Sequence, residues 1–324
     1  SDYNTAFGYA AGQEITTGTQ NTAIGAFAGD AITTGDYNTG VGVHAVGSTT
    51  TADSNTGIGY NSLNSNTTGA DNTAVGRNSL DDNTTGEYNT AVGKDAATAI
   101  TTGAANTAVG KSALETATTA ANNTALGAYA LRVNTSGASN VAVGHLALTA
   151  NTTGSQNTAV GNGALDANTT ATEGCAIGRN ALTANTTGEA NTALGKSALQ
   201  ANTTGSYNAA GGLNALQQNT TAGDNTAFGV NAMLVNTTGH SNVAMGRSAL
   251  DANTTGASNT AVGKDALGSN TTGGTNTGVG QNAGPAITTG AENTCIGAST
   301  AEGLSTGGNN ICIGLGAGNS GNPG

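Results

Sequence analysis

An all-β fold, a parallel β-solenoid or β-roll of about 19 coils, is what this sequence predicts, and three observations predict it. One motif returns every 17 residues, without an insertion, from Asn4 to Asn310, which makes 19 starts. The motif combines glycine at fixed places with paired β-branched threonines, a choice that suits short strands and turns and disfavours helix interiors. Its charged side chains fall in six of the seventeen places, marking three exposed corners between three sheltered segments.

Numbering the places as slots 1 to 17 from the repeating asparagine, slot 1 is Asn in 18 of 19 repeats, Gly174 being the exception, and slot 5 is Gly in all 19. Slot 4 is Val, Ile, Leu, Phe or Met everywhere except Gly211. Slot 8 is nearly always Ala or Ser, slot 9 is most often Leu, slots 13 and 14 are almost always Thr-Thr, and slot 15 is Gly or Ala. Charges occur only in slots 6, 7, 10, 11, 16 and 17. Stacking such repeats coil on coil aligns every slot into a ladder. At a strand spacing of about 4.8 Å, 19 coils reach about 90 Å, which predicts a rod.

Two details favour stacking over separate hairpins. Where slot 9 loses its Leu to Gly or Ala, slot 12 usually gains an apolar residue in place of Asn: Gly12 with Ile15, Gly29 with Ile32, Ala97 with Ile100, Gly284 with Ile287, Ala301 with Leu304, the repeats with Val46 and Leu114 being imperfect cases. One core site is filled from either of two slots, as conserved volume requires. In the strand at slots 1 to 5, alternation sets slots 2 and 4 on one face and slot 3 on the other. Slot 3 is never larger than Cys, so that row either packs closely against neighbouring chains, as in a trimer, or lines a tight coil interior.

Composition sets the outer limits. Fifty-two glycines, no Trp, 3 Phe and 36% hydrophobic residues predict a folded chain with a thin core, and 8% charge is far from the composition of disorder. A net charge of −11 argues against nucleic acid and anionic membranes as partners. No apolar run approaches the ~20 residues of a membrane span, so membrane insertion is not expected. The chain opens inside a repeat at Ser1-Asp2-Tyr3, and residues 1–324 read as a single repeat domain from a longer protein.

The unit Asn-Thr-Ala-Val-Gly-x-x-Ala-Leu-x-x-Asn-Thr-Thr-Gly, whole at Asn259 to Gly273, resembles repeats of phage-type tail-fibre and bacterial surface-fibre proteins. Its Asn-Thr-Ala-Val-Gly core also resembles the strands of trimeric autotransporter adhesin heads. The resemblance covers essentially the whole chain. It implies a trimeric, left-handed parallel β-roll on a cell or virion surface, binding through outer faces or a distal tip. The autotransporter repeat is shorter than 17, and neither a coiled-coil stalk nor a chaperone domain is recognisable here.

The sequence gives catalysis little support, and no enzyme, cofactor or metal is expected. His44, His145 and His240 occupy slots 7, 6 and 16, far apart along the stack. Gly40-Val41-Gly42-Val43-His44-Ala45 matches a dinucleotide fingerprint in letters alone, without the helix that chemistry needs. Acids scatter over six slots, unlike calcium-binding rolls. Cys295 and Cys312 share slot 3 in adjacent coils, within disulfide reach or serving as small hydrophobes, and Cys175 stands apart. Asn-Thr-Thr at slots 12 to 14 reads either as a glycosylation sequon or as an inward asparagine ladder, and the alternation with Ile favours the ladder.

Surface-contact candidates are Tyr3, Tyr37, Tyr88 and Tyr207 in slot 17, with Tyr9 and Tyr60 in slot 6, able to stack on sugar rings. Seven of eight basic residues occupy slot 6, including the run Arg77, Lys94, Lys111, which reads as a stripe for acidic glycans or as a solvated edge offset by Asp81, Asp95 and Glu115. The expected function is a structural or adhesive extracellular fibre module, self-associating as a trimer or a filament and meeting a glycan or protein receptor on a host surface. One rival is a subunit of an end-to-end filament. Another is an ice-binding solenoid, disfavoured because alternation would turn slots 13 and 14 to opposite faces. A polysaccharide-cleaving enzyme would need a carboxylate cluster that the slots do not supply.

Overall fold

A computed structural model describes residues 2–319 and shows two compact units, Ser1–Asn162 and Gly163–Gly324. Each is a β-solenoid without helix. Three-residue strands run from β1 (Thr5–Phe7) to β10 (Thr158–Val160) in the first unit and from β11 (Cys175–Ile177) to β19 (Ile311–Ile313) in the second. Within each unit every strand pairs in parallel with the strand of the next repeat, slot opposite slot: Thr5 faces Thr22, Ala6 faces Ala23, and Cys175 faces Thr192. The 17-residue spacing is therefore one full coil.

The route around the coil follows from backbone preferences. Slots 2 to 4 are extended, and the slot 5 glycine then turns the chain at φ of 119° to 142°, a region closed to residues with a Cβ. At Gly144 an added Cβ would lie 2.6 Å from the Gly161 carbonyl oxygen of the next coil, so glycine is required by both conformation and space. Slots 7, 9 and 17 take left-handed φ near +55°. Asn, Asp and Ser at slots 7 and 17 suit that conformation. Slot 9 places Leu there, as at Leu63, Leu80, Leu165 and Leu250. A left-handed Leu costs about 1–2 kcal/mol, and burying its side chain returns about 1.5–3 kcal/mol. These leucines are essentially fully buried, so packing wins.

The interior is thin. Ala at slots 3 and 8 and Leu at slot 9 are buried from coil to coil, for example Ala74, Ala164 and Leu165. Serine at slot 8 is satisfied there, with Ser62 Oγ donating to the Ala74 carbonyl at 2.8 Å. Slot 3 lines this interior, so the close-packing alternative in which slot 3 meets neighbouring chains is overturned. Its small size has an internal cause. A Cβ on Gly40 would lie 2.6 Å from Val46 Cγ2, and one on Gly278 would lie 2.8 Å from Leu267 Cγ. The exchange between slots 9 and 12 is also internal: a Cβ on Gly29 would come within 2.9 Å of Ile32 Cδ1, because Ile32 fills the missing leucine's place.

Two asparagine ladders tie the coils together. At slot 12, Asn202 Nδ2 donates to Asn185 Oδ1 at 2.8 Å and to the Gly205 carbonyl at 2.9 Å, and Asn219 Nδ2 donates to Asn202 Oδ1 at 2.8 Å. At slot 1, the Asn38 backbone N–H donates to Asn21 Oδ1 at 2.8 Å while Asn38 Nδ2 donates to the Ala52 carbonyl, also at 2.8 Å. These side chains are buried, and the slot 12 amides of the Asn-Thr-Thr triplets are spent on the ladder and closed to a glycan. Where isoleucine replaces asparagine the ladder stops: Asn83 Oδ1 and Asn270 Oδ1 are buried without a partner, and their neighbours above are Ile100 and Ile287.

Two outcomes test this account. Replacing Ile100→Asn together with Ala97→Leu restores the common slot 9 and slot 12 pair and gives Asn83 Oδ1 a donor. Denaturant unfolding of that variant should show little net change, because Ala117 in the following coil leaves the new amide oxygen without a donor in turn, whereas Ile100→Asn alone, which also leaves a void at slot 9, should lose stability. Gly144→Ala should lower stability by about 1–3 kcal/mol through backbone strain alone.

Candidate binding face

Alternation within the three-residue strands turns slots 2 and 4 outward, opposite the inward slot 3, and slots 17 and 6 stand at the turns on either side. The aliphatic slot 4 residues thus form an outer row and not the core, with Ile24 38%, Leu126 46% and Met245 45% exposed. Thr, or Val at Val141 and Val243, lies beside them in slot 2. Side chains in the row pack along the stack: the Phe228 ring covers Gly211, the one slot 4 position that lacks a side chain.

The surface-contact candidates flank this row. Tyr3, Tyr37, Tyr88 and Tyr207 are 56–85% exposed in slot 17, on one margin. Arg77, Lys94 and Lys111 lie in successive coils on the other margin, all exposed. The strand of each coil therefore lies between the slot 17 and slot 6 positions. Tyr9 and Tyr60 share the basic margin, and Tyr9 meets Phe27 edge-on at 5.2 Å. Phe27 in turn stacks on His44 at 5.0 Å, while His145 and His240 are exposed.

Local partners temper the basic stripe. Lys94 Nζ is 3.0 Å from Asp95 and Lys264 Nζ is 3.1 Å from Asp265, both slot 7 carboxylates. Partial burial pushes the Asp95 carboxyl up, but hydrogen bonds from Lys94 and Asn78 outweigh it and hold the group below its usual range. Lys111 lies 5.1 Å over the Tyr129 ring, and the tyrosine hydroxyl's hydrogen bond raises the ammonium pKa. These contacts are exposed and each is worth little.

Elsewhere the chemistry is sparse. Among the described residues no group of three or more His, Cys, Asp or Glu is placed to hold a metal ion. Cys295 and Cys312 face each other in register as free thiols, and burial, with Cys312 beside it, pushes the Cys295 thiol up to about 11. The Thr-Thr columns depart from expectation. Slot 14 is exposed and slot 13 is half-exposed, so both reach the surface, where alternation had assigned them to opposite faces. The bend at these slots breaks strand alternation, and slot 13 hydroxyls donate to the next coil's slot 13 carbonyl, as Thr33 Oγ1 does to Thr50 at 3.1 Å.

On the corner at slots 10 and 11, burial and then the neighbouring Asp82 raise the Asp81 carboxyl above its usual range, and burial followed by Asp265 does the same to Asp251. A raised folded-state pKa is stabilising at acid pH, and that contribution is lost as pH climbs through the carboxylate range. Asp81→Asn should therefore raise the melting temperature at pH 7, and the gain should vanish below about pH 3.9, the ordinary value for Asp. Calorimetry at the two pH values checks it. Compared with known proteins, the chain matches no family model and no curated protein.

Proposed function

We propose that this chain is a structural and adhesive module of an extracellular fibre, the shaft or head of an adhesin or tail fibre on a cell or virion surface. The observation that supports this reading is one 17-residue coil repeated without insertion and joined to the next within each unit by buried hydrogen bonds, with the large aliphatic side chains of slot 4 turned outward. Such a design extends distance and repeats a surface at fixed intervals. A weak contact repeated along it gains strength by multivalency, which suits a glycan or protein receptor met by Tyr37, Tyr88 or Arg77. Among the described residues no helix is long and apolar enough to cross a membrane.

The test is length. Inserting five further copies of the 17-residue unit should lengthen particles in negative stain by about 24 Å, at about 4.8 Å per coil, and leave their width unchanged. Particles whose length ignores coil number would sink the fibre reading. Strands of indefinite length would replace it with the end-to-end filament.

A further inference from the structure

We propose that the acid-free coils around Tyr129 form a binding site for a short anionic saccharide, with Lys111, Arg132 and His145 as its donors. The saccharide class rests on the adhesive reading above, and the site itself on charge and geometry.

The first support is where acids are missing. The chain holds 19 acids in 324 residues, about one for each coil, yet none falls between Glu115 and Asp166. Those 50 residues are the longest such interval, the next being the 34 between Glu189 and Asp224. Within the first unit the interval takes in the whole coils that begin at Asn123 and Asn140. In a chain of net charge −11 the field of ordinary coils turns an anion away, and these coils interrupt that field. They also carry Arg132, the one Lys or Arg that lies outside slot 6.

The second support is how the cations are held. Lys111 Nζ lies 5.1 Å and the Arg132 guanidinium carbon 5.7 Å from the centre of the Tyr129 ring, and His145 meets the ring edge-on at 6.1 Å. The ring attracts both cations and keeps them close at a Coulombic cost that a bound anion would relieve. Among the described residues the ion pairs are Lys94 with Asp95 and Lys264 with Asp265, so no carboxylate in contact neutralises Lys111 or Arg132. Asp95, in the coil before Lys111, and Glu115, in its own coil, act on it only at longer range. Arg132 Nε is buried without a hydrogen-bond partner, and the guanidinium is held against the ring instead.

Asn162 Nδ2, which can only donate, lies 3.2 Å from His145 Nδ1, so that nitrogen accepts and the neutral ring carries its proton on Nε2. Lys111 and His145 are exposed and Arg132 is half-buried. Ammonium, guanidinium and imidazole N–H thus come from three successive coils, about 10 Å along the stack, and offer charge-assisted hydrogen bonds to a carboxylate or sulfate. The preceding coils carry Asp81, Asp82 and Asp95, which repel a long stiff polyanion and spare a short one.

The experiment is calorimetric titration of the full chain with a heparin-derived hexasaccharide, an oligogalacturonate hexamer and maltohexaose, which carry sulfates with carboxylates, carboxylates alone, and no charge. One anionic hexasaccharide per chain is expected, with maltohexaose unbound. Binding of the oligogalacturonate assigns the site to carboxylate, and binding of the heparin fragment alone assigns it to sulfate; both results uphold the proposal. Binding of neither, equal binding of maltohexaose, or several equivalents per chain would overturn it, and the fibre reading, tested by particle length, would stand. Lys111→Gln with Arg132→Gln should weaken binding at least tenfold at unchanged melting temperature, whereas Arg179→Gln with Arg247→Gln should leave it unchanged. Equal loss from both pairs would make the basic column the ligand's track and overturn the site at Tyr129. Ala128→Glu, which sets a carboxylate in slot 6 between Lys111 and His145, should abolish binding by occupying the donors. A single-stranded hexanucleotide that binds as tightly as the sugars would overturn the saccharide class.

Discussion

Hydrogen bonds from each coil to the next are the constraint on which the rest of this structure depends. The strands are only three residues long, too short to hold a sheet by themselves, and the interior offers mostly alanine and one leucine per coil. Buried asparagines at slots 1 and 12 supply what the thin core does not, each satisfying its own coil and reaching into its neighbour. A buried amide that missed its partner would cost about 1–3 kcal/mol. A change in repeat length would misplace both ladders at once, which accounts for 17 residues recurring without an insertion. Among the described residues, the two buried acceptors left unpaired, on Asn83 and Asn270, sit just where isoleucine interrupts the ladder.

The same economy explains the conformations that individual residues accept. Left-handed leucines at slot 9 and glycines at slot 5 would be unfavourable singly, and they persist because the coil closes only through them. Slot 3 is small because a leucine, valine or isoleucine from the opposite wall occupies the space above it. With the interior so filled, the larger aliphatic side chains of slot 4 are turned outward. An outward apolar row, with acids at the turn before the strand and bases at the turn after it, is the product.

Function in such a molecule resides in repetition more than in any one residue. Tyr37, Tyr88, Arg77 and Lys111 are single members of columns, and a ligand or partner would meet several at once. The fibre reading draws on that arithmetic through reach.

Much of this was legible in the sequence. The repeat length, the stacking of slots, the inward asparagines and the exchange of Leu for Ile between slots 9 and 12 follow from counting, because a one-dimensional stack makes each slot a ladder and forces neighbours to conserve volume. The alternation of slots 2 and 4 against slot 3 was legible too. What alternation cannot say is which face is inside, since period two is the same seen from either side. Only the closed coil decided that, by setting slot 3 against slots 8 and 9. The turn at slots 13 and 14 was beyond the pattern for a related reason: strand alternation fails at a bend. The candidate tyrosines and basic residues could be named from composition and slot. Their placement on either side of an outward apolar row needed the tertiary path, because it depends on slot 3 turning inward between slots 2 and 4.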